Sequence, residues 1–272
     1  MKNILAAFQF LTIIPVHIKG HLSNKDLATS SIYFPLVGFF QGALLTLLSV
    51  ILVRFFPPGV ASLCIILAYL LMNGGFHLDG LSDSFDAISV KSSGDDAKDR
   101  QKRLEVMKDP ASGPIGIAAI GLSMLFKYTL LMETLSIPAF VFFNPVVFLM
   151  PVLSKWSVTM AICGAKSARG DGLGKIFFDS VKTKHAILAS SFTACFVYII
   201  YFLSDFLLPA GVPGGLKDFS FFIFIAASAC LCTVYAMRHL FTLRFGGITG
   251  DNLGAIHEVS ETVLLITALF WQ

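Results

Sequence analysis

Charge is scarce in this chain. Asp, Glu, Lys and Arg make up 14% of its 272 residues, against about a quarter in an ordinary soluble domain. With 56% hydrophobic residues and a mean hydropathy of +0.78, that shortage excludes a soluble globular protein. It predicts an all-α polytopic membrane bundle, read as a single domain over residues 1–272. A strong charge of one sign is also missing. The net charge is +3, and the basic residues flank the apolar runs, so no nucleic-acid partner is expected. Cysteines are few and odd in number, five, and all lie in or beside apolar runs. Cys230-x-Cys232 offers too few ligands for a soft-metal site, which leaves buried packing as the expected role. No internal repeat and no low-complexity tract occurs, which weighs against the repeated halves of many transporters. The opening MKNILAAFQFLTIIPV lacks a small-x-small cleavage site and is closed by Pro15. It is expected to be a retained amphipathic helix at the membrane interface and not a signal peptide.

What the chain has is long apolar runs. Seven are of spanning length, near 32–53, 59–76, 113–132, 137–154, 185–204, 219–237 and 253–271. Asn144, Pro145 and Pro151 interrupt the fourth, so a kink or break is expected there. All of the 20 basic residues except Arg54, Lys127 and Lys217 fall on one side of this layout. That bias predicts a cytoplasmic face built from residues 77–112, 155–184 and 238–262. The opposite connections, such as FFPPG and LPAGVPGG, read as turns.

Four segments on that face carry chemistry. In NGGFHLDGLSDSFDA, Asp79, Asp83 and Asp86 stand at i, i+4 and i+7, which puts three carboxylates on one face of a helix. A solvated acidic helix end would explain the acids alone. Their place at the end of an apolar run points instead to a hard cation such as Mg²⁺ and a phosphate-bearing substrate. His77 is a candidate proton acceptor or phosphate donor. In RLEVMKDPASGPIG, Lys108 is placed to neutralise phosphate and Asp109 to join a metal shell. Glu105 adds a further acid, and Ser112 and Gly113 offer backbone N–H groups at a helix start. In SARGDGLGKIF, Arg169 lies among glycines that let backbone approach a ligand. In FGGITGDNLGAIHEVSE, Gly247 and Gly250 belong to a loop suited to phosphate, ahead of Asp251, Glu258 and Glu261 on one helical face. A polar seam between helices would explain these acids as well.

Taken in order, HLDGLSDSFDA, MKDPASGPIGI, ARGDGLG and GGITGDNLGAIHEVSE closely resemble the cobalamin synthases, the adenosylcobinamide-GDP ribazoletransferases. The resemblance extends to FLTIIPV and YFPLVGFFQG and so covers essentially the whole chain. It departs at KDPASG, where the family commonly carries an arginine. The resemblance implies an integral membrane enzyme of a prokaryotic inner membrane that uses Mg²⁺. Such an enzyme joins adenosylcobinamide-GDP to α-ribazole, or its 5′-phosphate, and releases GMP. Its expected partners are corrinoid and ribazole substrates and the lipid bilayer, with assembly into a homo-oligomer or with other corrinoid enzymes left open. Asp79, Asp83 and Asp86 are expected to hold the metal, with Asp251 or Glu258, while His77, Lys108 and Arg169 serve the reaction. The rivals are other carboxylate–Mg²⁺ membrane transferases and, in a different class, a cation transporter. The chain lacks the Ala-Arg that follows Asp-Gly in CDP-alcohol phosphotransferases, and the DDxxD motifs of prenyltransferases. A transporter would need acids at mid-membrane.

Overall fold

The structure is a computed structural model that describes residues 1–18, 20–207 and 216–271. Lys19, the side chain of Lys217 and the LPAGVPGG turn lie outside the described residues. The protein is helical: α1 (Lys2–Leu11), α2 (Asn24–Ser30), α3 (Phe34–Phe55), α4 (Pro58–Asn73), α5 (Phe76–Ser89) and α6 (Asp96–Val106) come first. They are followed by α7 (Pro114–Leu135), α8 (Pro145–Ile162), α9 (Gly172–Ser180), α10 (Thr183–Leu207), α11 (Leu216–Phe245) and α12 (Gly250–Ala268). Among the described residues, six helical stretches are long and apolar enough to cross a membrane, and a seventh is obtained if the bent pair α4–α5 counts as one span.

Several sequence-based boundaries move, each for a local reason. The second run ends at Asn73, because Gly74 and Gly75 both take positive φ, 66° and 74°. Helix α5 restarts at 88° to α4, so the aspartates ride on a separate helix that turns across the end of the bundle. The fourth run was expected at 137–154. Its helix starts at Pro145, with the Asn144 side chain accepting the Val146 and Val147 N–H groups, and it runs on to Ile162. Pro151 stands inside this helix without ending it. Lys155, assigned above to a cytoplasmic loop, is therefore fully buried in a helix. Helix α11 likewise extends through Arg238 and Arg244, both expected in a loop.

Helix α8 is the axis of the bundle and is buried along nearly its whole length. Close approach to it is a matter of small residues. A Cβ on Gly38 or Gly42 of α3 would run into the backbone carbonyl of Pro151 or Phe148. The same device joins α5 to α12, where a Cβ on Gly80 would meet the Asp251 carbonyl and one on Gly254 the His77 backbone. Large apolar side chains such as Leu47, Leu125, Phe202 and Phe224 cover the outer faces, as a lipid-facing bundle requires. The expected N-terminal helix is present as α1, which buries Ala6, Ala7 and Leu11 and keeps Lys2 paired with Asp26.

Candidate active site at one end of the bundle

The four chemistry-bearing segments meet at one end of the bundle. Two loops are stitched together first: Ser167 bridges Ile248, with Ala168 N donating to the Ile248 carbonyl and Ile248 N to the Lys166 carbonyl. Gly247 is required in this seam, because a Cβ there would strike the 166–168 backbone. The seam carries Arg169 to Asp251 on the first turn of α12, at 3.0 Å. Thr249 caps that turn, reciprocated by Asn252, whose amide also donates to Ser84 on α5.

Across the glycine contact from Asp251 stand Asp79, which is exposed, and Asp83, which is half-buried. Asp83 and Asp251 are each within electrostatic reach of Asp79 and of Arg169. Arg169 is one cation against three carboxylates. Its contact with Asp251 is a charge contact without hydrogen-bond geometry, so the buried Asp251 Oδ2 receives no hydrogen bond.

The other acids have partners. Asp86 accepts the N–H groups of Gly113 at 2.7 Å and Gly116 at 2.8 Å, so its carboxylate sits on the N-terminus of α7. Both glycines are needed, because a Cβ on either would overlap that carboxylate. The backbone donors expected from Ser112 and Gly113 for an anion are thus turned, at Gly113, toward an acid of the chain itself. Glu105 accepts from Gln101, and Asp109 accepts the Ala111 N–H, both on the exposed side of this segment, as are Lys108 and Ser112. None of these four touches the Asp79–Asp83–Asp251 group. Nearby, Asp99 is held down to about 2 by hydrogen bonds from the Ser92 hydroxyl and then from Ser93, and it pairs with Arg103. Arg103 in turn donates to the Arg244 carbonyl at the end of α11.

Glu258 and Glu261 lie deeper. Lys127 of α7 donates to both, at 2.7 and 2.5 Å, inside the bundle. Around them Tyr69 donates to Glu261, Ser154 approaches both Glu261 and His257, and Lys155 reaches Tyr69, Asn73 and His257. His257, Glu258 and Glu261 have the spacing of a metal site, but the Lys127 ammonium already lies on the two carboxylates. His77 links the levels, with its ring 3.7 Å from that of His257 and its side chain lining the cleft beside Asp79. Sequence reasoning missed Lys155, Tyr69, Asn73 and His257. The signal available was a lysine inside the third apolar run, Lys127, which had to find acids within the membrane.

A cleft of about 410 Å³ opens beside the acids, and Asp79, Asp251 and His77 are among the residues that line it. Gln9, Phe10 and Leu11 bring α1 to the same cleft, and Phe177 brings α9. Gly250 also lines the cleft, and a Cβ there would meet nothing within 4 Å.

Fold and site together define an all-α, multi-pass membrane protein that gathers carboxylates and an arginine at one end of its bundle. The family model for cobalamin-5-phosphate synthase matches residues 3–269, and the chain belongs to that family. It is 33% identical over 272 residues to the adenosylcobinamide-GDP ribazoletransferase of Thermodesulfovibrio yellowstonii, covering all of this chain and 97% of that one. The enzymes of the same name from Acetivibrio thermocellus and Geotalea daltonii are 34% and 32% identical, each over 98% of this chain and 96% of their own length. No solved structure matches the chain.

Proposed function

We propose that this protein transfers the adenosylcobinamide phosphoryl group from adenosylcobinamide-GDP to α-ribazole or its 5′-phosphate, at the cytoplasmic face of a prokaryotic inner membrane. Family membership supports the reaction, and the basic bias of the loops supports the orientation. The observation that carries the site is the convergence of Asp83 and Asp251 on Arg169, with Asp79 within electrostatic reach of both acids.

That convergence fits Mg²⁺. The donors are hard oxygens, the acids outnumber the local cation, and Asp251 Oδ2 is buried without a hydrogen bond. Asp79, Asp83 and Asp251 would hold the ion. Asp86, with both oxygens on α7, would fix where α5 meets that helix, and Glu258 would act as part of the charge cluster beneath. Bound there, the ion would neutralise the diphosphate and lower the charge on the leaving group.

The rest falls to the chain's own groups. A ribose hydroxyl of the acceptor attacks the phosphorus that carries cobinamide. The new P–O bond forms as the bond from that phosphorus to the bridging oxygen breaks, and GMP departs with the electron pair. The hydroxyl proton passes to a base in the cleft; His77 and the aspartates Asp79 and Asp251 are the candidates, because they line it. Arg169 stabilises charge on the transferring phosphoryl group, and the exposed Lys108 meets the phosphates as they arrive. Gly247 lets its loop close on the 166–168 backbone, and Gly250 leaves open space where it lines the cleft. The test is GMP release by purified protein in liposomes given both substrates and Mg²⁺. No GMP with any divalent metal would refute the reading.

A further inference from the structure

The bend between α4 and α5 decides where Asp79 and Asp83 stand, yet its own backbone fixes little. Gly74 and Gly75 both take positive φ, and glycine is free to turn there in many ways. The direction of α5 is therefore set by what grips the chain on either side of the pair. On the α5 side the grip is α12, through the close approaches of Gly80 to the Asp251 carbonyl and of Gly254 to the His77 backbone. On the α4 side it is a group of buried polar side chains. Asn73, the last residue of α4, is 5% exposed. Its Oδ1 accepts from the Gln41 amide of α3 at 3.0 Å and from the Lys155 ammonium of α8 at 3.4 Å. The carbonyl before it, that of Met72, accepts the Ile13 N–H at 3.1 Å. One turn back, the Tyr69 hydroxyl accepts from Lys155 at 3.2 Å and donates to Glu261 of α12. Lys155 also lies 3.4 Å from His257 Nε2 on α12, and the His257 ring meets that of His77 in the first turn of α5. One ammonium thus joins the helix before the bend to the helix on which α5 rests.

The geometry points to Asn73 as a positioning residue: gripped by Gln41 and Lys155, it fixes the end of α4 and with it the placement of Asp79 and Asp83 against Asp251. The inference rests on the proposed reaction and says what holds its acids in register. Stability alone gives no reason for this arrangement. A lysine buried in a membrane helix is costly, and exchanging both partners of a buried polar contact for apolar groups is often neutral or stabilising. What the hydrogen bonds add is direction. Asn73 satisfies Gln41 and Lys155 in one setting of the α4 end, whereas apolar side chains there would pack in several. The acids need that precision, because a misplacement of about 1 Å can cost about 100-fold in rate.

The experiment uses full-length protein. It reads kcat and KM for GMP release in liposomes, melting temperature in detergent, and hydrogen exchange across residues 74–83. Asn73→Leu is expected to lower kcat roughly 10- to 100-fold while both KM values stay within about twofold of wild type. Exchange at 74–83 should quicken. Because this variant strands the Gln41 amide, its melting temperature should fall as well. The double variant Gln41→Leu with Asn73→Leu removes both partners, so it should regain melting temperature without regaining kcat. It also carries the comparison with wild type should Asn73→Leu fail to fold. A rate that returns together with the melting temperature would overturn the proposal, leaving Asn73 a purely structural residue. So would wild-type kcat or wild-type exchange at 74–83 in Asn73→Leu. If wild type releases no GMP, the reaction itself is wrong, and exchange at 74–83 decides alone whether Asn73 holds the bend.

Discussion

The Asp86 carboxylate accepts the Gly113 N–H at 2.7 Å, tying the last acid of α5 to the first turn of α7. In sequence Asp86 is one of three equivalent acids, but in the fold it has a different occupation from Asp79 and Asp83. Replacing it by Ala leaves two helix-end donors without their acceptor, which is expected to lower stability by about 1–3 kcal/mol. Asp86→Asn keeps one acceptor oxygen and should lose less. Thermal unfolding in detergent measures both. Titration with Mn²⁺ should show a smaller change in affinity for Asp86→Asn than for Asp83→Asn, and the reverse order would make Asp86 a ligand.

Lys127 neutralises two buried glutamates, so removing it strands their charge. Lys127→Met is expected to cost about 3–5 kcal/mol, the range for breaking a buried pair from one side. Adding Glu258→Gln and Glu261→Gln to Lys127→Met should recover part of that loss. Denaturant unfolding of the single and triple variants decides the matter. A triple variant less stable than the single would show that the glutamates have another role.

Gly38 and Gly42 allow α3 to lie against α8 with backbones in contact. Gly42→Val should lower the yield of folded protein, because the clash is with a carbonyl that cannot swing aside. Gly121→Ala on α7 is the matched control: its Cβ meets nothing within 4 Å, so its melting temperature should be unchanged or higher. Size-exclusion profiles and melting temperatures of the two report the difference.

Asp99 gives a pH dependence with a definite sign. Its pKa is lowered in the folded protein to about 2, below the ordinary value of about 3.9. The stability it confers is therefore complete above about pH 4 and is lost as pH falls toward 2. Hydrogen exchange across residues 91–106, taken relative to the intrinsic rate at each pH, should quicken over that window in wild type. In Asp99→Asn it should be fast already at neutral pH, and a protected segment in that variant would remove the role assigned to the carboxylate.

Much of this architecture was legible in the sequence because membrane insertion writes itself as long apolar runs. The four polar segments were legible because acids and glycines at the end of such runs are expensive to keep without a purpose. Other features depended on neighbours that no local pattern announces. Lys155 reads as the end of a span until Tyr69, Asn73 and His257 are found packed around it. The break at Gly74–Gly75 was present as two glycines, but only paired positive φ values turn them into an 88° bend. The equivalence of the three aspartates failed for the same reason, since spacing places side chains on a face and says nothing of what meets them there.

The most direct measurement is the rate of GMP release by wild type, Asp83→Asn and Asp251→Asn in liposomes, with Mg²⁺ and with excess chelator. Wild type should require the divalent ion. Each variant should be slower by about 100-fold or more, the scale for losing charge stabilisation in a transition state. Full wild-type rates in chelator, or full activity in both variants, would contradict a carboxylate-held cation as the centre of this site.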